Sequence, residues 1–64
     1  MKYWAYRHVD GGIHVKAYRE DATYARASVD DAYDSPFVKD VLEPFPANDR
    51  QEAEKIAKLA LDQM

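Results

Sequence analysis

The chain has 64 residues, 47 % hydrophobic and 33 % charged, with no cysteine and a net charge of −3. That length allows one small core and no second domain, and no disulfide can support it. No apolar run approaches the ~20 residues of a membrane span, and Met1-Lys2-Tyr3-Trp4 does not lead into the apolar segment of a secretory signal, so a soluble cytoplasmic protein without a membrane partner is expected.

Taken in chain order, residues 3–19 read as a β-hairpin. Tyr3 to Val9 is aromatic-rich, Ile13 to Arg19 alternates apolar with polar, and Asp10-Gly11-Gly12 between them is turn chemistry that supplies φ > 0. Loop length decides which side chains share a face. An even-numbered loop puts Trp4, Tyr6 and His8 with Ile13, Val15 and Ala17, making one strongly apolar face. A three-residue loop would instead place Arg7 beside Ile13 and Val15. The even loop is therefore expected, with Tyr3, Ala5, Arg7, His14, Lys16 and Tyr18 on the other face.

Residues 20–27 carry little signal and read as a connection or a ragged extension of the second strand. Ala22, Ala25, Val29, Ala32 and Tyr33 have helical spacing, but Asp30, Asp31 and Asp34 would crowd the negative end of one long helix. A short helix at about 29–34, capped by Ser28, puts Asp30 and Asp31 in the first turn instead. Residues 39–45 are expected as a third strand, because Glu43-Pro44 and Phe45-Pro46 bias the chain to extended backbone. Pro44 suggests an edge position or a bulge. From about 49 to 63 the pattern is an amphipathic helix: Ala53, Ile56, Ala57, Ala60, Leu61 and Met64 share one face. Either Asn48 with Gln51 or Asp49 with Glu52 can cap it. The expected fold is α+β, a single domain in the order β-β-α-β-α, with a three-stranded antiparallel sheet and both helices on one face.

No constellation of catalytic residues stands out. Ser28 and Ser35 read as helix caps, and Gly11-Gly12 lacks the following helix of a phosphate loop. Asp30, Asp31 and Asp34 lack the spacing of a calcium loop. In the even register His8 and His14 point to opposite faces and cannot share a metal. No enzyme activity, cofactor, metal or small-molecule ligand is expected.

Charge is unevenly distributed. Residues 1–19 hold Lys2, Arg7, Lys16 and Arg19 against Asp10 alone, and the remainder is acidic. With both helices on one side, the other sheet face should stay wet and carry the candidate binding residues Tyr3, Arg7, His14, Lys16 and Tyr18. Rings interleaved with cations suit a protein interface, and an open sheet can also add a strand at its edge. The expected function is therefore a non-catalytic protein-interaction module, including self-association. The alternative is a nucleic-acid-binding face, since bases stack on rings while phosphates meet cations, although such domains are usually basic overall. In layout alone, a three-stranded sheet backed by a C-terminal helix resembles the DNA-binding sheets of plant AP2-type domains and of integrase arm domains; no motif of either is present.

Overall fold

The computed structural model describes residues 1–64. It contains β1 (Lys2–His8), β2 (Ile13–Tyr18), α1 (Ala25–Asp34), β3 (Val38–Pro46) and α2 (Arg50–Asp62). The three strands form one antiparallel sheet in the order β2-β1-β3. The α+β class and the β-β-α-β-α order are as the sequence implies.

The hairpin register is the one the even loop was expected to avoid. Trp4 pairs with Lys16, Tyr6 with His14 and Arg7 with Ile13. The loop is the three residues Val9-Asp10-Gly11: the His8 N–H donates to the Gly12 carbonyl at 2.7 Å, and the Gly11 N–H donates to the His8 carbonyl at 2.9 Å. Gly11 takes φ = 96°, the left-handed position that this kind of loop assigns to glycine. The Asp10 carboxylate accepts from the Gly12 N–H at 2.8 Å. Arg7 does share a face with Ile13 and Val15, but it lies at the end of the sheet. Its guanidinium reaches Asp62 at 2.8 Å and Asp40 at 3.8 Å. The charge is neutralised there without entering the core.

This register gives the sheet two apolar faces, so the helices lie on opposite sides rather than together. Tyr3, Ala5 and Val15 pack with Ala53, Ala57 and Leu61 of α2. Trp4 and Val41 pack with Val29 and Ala32 of α1. Consecutive Tyr3, Trp4 and Ala5 are all buried, the mark of a central strand covered on both faces. Chain topology requires part of this. Strands β2 and β3 are both antiparallel to β1, so they run parallel to each other, and parallel strands need a crossover. Helix α1 is that crossover and occupies one face; α2 takes the other. The likeness to sheets with one bare face therefore does not hold.

Helix α1 begins four residues earlier than expected, at Ala25. Ser28 is inside it and its hydroxyl donates back to the Tyr24 carbonyl at 3.2 Å. Burial of Ala25, Val29 and Ala32 on one stripe outweighs the misplaced acids, each of which costs only about 0.3–1 kcal/mol near a helix end. Arg26 bonds Asp30 one turn on and Glu43 of β3, while the Tyr33 hydroxyl also donates to Glu43. These bonds, Arg26 first, hold the Glu43 carboxyl below its ordinary range. In α2 the cap is Asp49, which accepts from the Glu52 N–H at 2.8 Å, while Glu52 reaches back to the Asn48 N–H. The third strand is present and lies at an edge. Its pairing with β1 slips one residue between Tyr3 and Ala5, at the Glu43-Pro44 stretch, and again between Arg7 and His8. No helix is long and apolar enough to cross a membrane.

Candidate interaction surface

The register separates the five candidate binding residues. Tyr3 is 7 % exposed and belongs to the core beneath α2. Arg7 shares that face and is held by Asp40 and Asp62. His14, Lys16 and Tyr18 stay together on the α1 side of β2, with Tyr18 half-buried beside the Trp4 cluster. The common open face expected for all five does not form.

Two surfaces take its place. One is a row of rings on the α1 side. Helix α1 covers Trp4, Val38 and Val41 and leaves the hairpin end open. There Tyr6 stacks on His14 with centroids 5.0 Å apart, His14 meets His8 edge-on at 6.3 Å, and His8 stacks on Phe37 at 6.2 Å. Lys16 Nζ lies 5.8 Å above the Tyr6 ring. His8 and His14 thus sit on one face, contrary to the even-loop expectation. No group of three or more His, Cys, Asp or Glu side chains able to hold a metal ion converges in the structure. The Asp10 carboxyl beside them is held below its usual range, chiefly by the Gly12 N–H and further by His8 and His14. Each ring in this row gives part of its surface to a neighbour, and Phe37 at its end stays 63 % exposed.

The other surface is the outer edge of β2. The pair His8–Gly12 exchanges a backbone bond, so in an antiparallel ladder the even residues of β2 bond to β1 and the odd ones face outward. Ile13, Val15 and Ala17 therefore present their N–H and C=O groups away from the sheet. One of these is occupied: the Val15 carbonyl accepts from Arg50 Nη2 at 2.8 Å. Beside this edge runs a cleft of about 500 Å³, with Val15, His14 and Lys16 on the strand side and Arg50, Glu54 and Lys58 on the α2 side. Those three α2 residues recur every four positions and so form one row on the helix. Arg50 lies 3.5 Å from Glu54, and neither Lys16 nor Lys58 has a carboxylate within ion-pair distance. The strip is positive on a molecule whose net charge is −3.

Sequence reasoning missed Arg50, Glu54 and Lys58 as site residues. Glu54 and Lys58 fall on the polar side of the amphipathic pattern, but only the register and the strand order show that this side, with Arg50, borders the free edge of β2. No protein family, curated protein or solved structure matches the chain.

Proposed function

We propose that this chain is a small, non-catalytic, cytoplasmic protein-interaction module that takes an extended segment of a partner protein onto the outer edge of β2. The observation that carries this reading is the outward-facing backbone of Ile13, Val15 and Ala17 along an edge that no strand covers, with the Val15 carbonyl held by Arg50. A strand with unpaired N–H and C=O groups is a template for another strand, and main-chain bonds supply the affinity of such complexes. Both sheet faces are occupied by helices, which leaves the edge as the larger unsatisfied surface. The nucleic-acid alternative needs ring faces for bases and a basic balance; the rings here partly stack on each other and the net charge is −3.

The test uses Ala17→Pro. Ala17 is exposed and its N–H points outward, so proline at this edge position removes a donor without breaking the ladder to β1. Tagged wild type and variant are exposed to nuclease-treated lysate, and a captured protein is then studied as the purified complex by amide exchange. The expected result is slowed exchange at Ile13, Val15 and Ala17 in the complex and loss of capture by the variant. Undiminished capture by Ala17→Pro, with no protection at these amides, sinks the reading.

A further inference from the structure

The row of charges along α2 defines which extended segment suits the β2 edge. Resting on the strand-addition reading above, we infer that the occupant is an acidic segment with carboxylates about four residues apart on the side that faces α2. Arg50 and Lys58 are eight helical positions apart, or about 12 Å at 1.5 Å per residue. Four residues of a strand span about 13 Å, and because side chains alternate, positions i and i+4 lie on the same face. An added strand therefore presents two side chains to Arg50 and Lys58 with one between them. That middle side chain meets Glu54, which favours a neutral or basic residue there. Side chains of the other parity face Lys16, so an acid is favoured on that side too.

Arg50 links backbone recognition to charge recognition. Its guanidinium now donates to the Val15 carbonyl at 2.8 Å. An incoming strand supplies its own N–H to that carbonyl and frees the guanidinium for a carboxylate, where a charge-assisted and potentially bidentate bond replaces a single one. A segment with a neutral side chain at that position displaces Arg50 and leaves it only Glu54, 3.5 Å away. The edge is thus selective against uncharged strands. Lys58, which has no carboxylate partner of its own, adds to the attraction without first giving up a bond.

The experiment is a titration of the ¹⁵N-labelled domain at low salt with three blocked, β-prone peptides that differ only at the i and i+4 positions: both Glu, both Gln or both Lys. Oligo-dT is a fourth probe. The expected result is that the Glu peptide binds at least about tenfold more tightly than the Gln peptide and shifts the Ile13, Val15 and Ala17 amides, while the Lys peptide does not bind. The Glu advantage should disappear in the Arg50→Gln, Lys58→Gln double variant, whose fold is checked by its amide spectrum. Equal binding of the Glu and Gln peptides at those amides overturns the acidic specificity and leaves strand addition standing. If no peptide moves the three amides, both readings fall. If oligo-dT binds and shifts Tyr6, His14 and Phe37 instead, the surface is a nucleic-acid site and the acidic occupant is wrong.

Discussion

The two faces of the sheet are covered by helices of similar character but to different effect. Helix α2 presents Ala53 and Ala57, both fully buried, and Leu61 at 1 % exposed. Two alanines at the contact allow the helix backbone close to the sheet, and one large side chain fills what remains. The resulting cluster joins β1, β2 and β3 and includes Ala47 before the helix. Helix α1 places Val29 and Ala32 over Trp4 and Val41, toward β3, and leaves the β2 side of its face to Tyr6, His14 and Lys16. One face is closed by small residues packed tightly. The other is closed by one tryptophan and is finished with stacked rings. Stability should therefore be concentrated beneath α2, and surface chemistry should collect where α1 stops.

Leu61→Ala should break the comparison most sharply. It empties the larger cluster, with an expected cost of about 3–5 kcal/mol, which for a domain of this size lowers the melting temperature by roughly 12 °C or more. Circular dichroism melts decide it; a shift of only a few degrees would mean that α2 is not the main cover. Val29→Ala makes the parallel change under α1. Losing two methyl groups there should cost about 2 kcal/mol. A loss equal to that of Leu61→Ala would erase the distinction between the faces.

Capping gives a smaller and more local effect. Asp49→Ala removes the acceptor of the Glu52 N–H and should cost about 1 kcal/mol. Denaturant midpoints at constant slope would show it, and an unchanged midpoint would place the start of α2 elsewhere. The pH dependence probes the α1 side. The folded state lowers the pKa of Glu43, so its contribution is present above the ordinary carboxylate value near 4.5 and is lost as pH falls through the folded value. The group is about half exposed, so its share should be under ~1 kcal/mol. Glu43→Gln should lower the melting temperature at pH 7 and converge with wild type once the pH falls below the folded Glu43 value. Asp10, also lowered, keeps its own acid-side loss in the variant. Parallel curves at all pH values would remove Glu43 from the account.

Much of this architecture was legible in the residues. The α2 stripe, the Asp49–Glu52 cap option, the Asp-Gly turn and a third strand at 39–45 follow from local spacing and from proline. The loop length did not follow, because it rested on the cost of placing Arg7 beside Ile13 and Val15. That cost was set too high: Asp40 and Asp62, distant in sequence, meet the guanidinium at the sheet end. Once the loop is three residues long, the side chains of β1 change face relative to those of β2, and Tyr3 moves from surface to core. The same error kept both helices on one side. Burial of Tyr3, Trp4 and Ala5 in succession has a sequence correlate, an unbroken apolar run at 3–6, which alternation on one face does not produce. The start of α1 was hidden for another reason. Its N-terminus has no side-chain cap, so Ser28 offered a stronger local signal than the true boundary at Tyr24.

The slipped pairing of β3 has a consequence for stoichiometry. Its two register breaks and the missing N–H groups of Pro44 and Pro46 spoil the second margin of the sheet as a template. A sheet with two good margins is divalent, and each strand it gains leaves another to be filled, which is how fibrils lengthen. This sheet has one good margin of its own, so any strand addition to it is expected along β2 and not along β3.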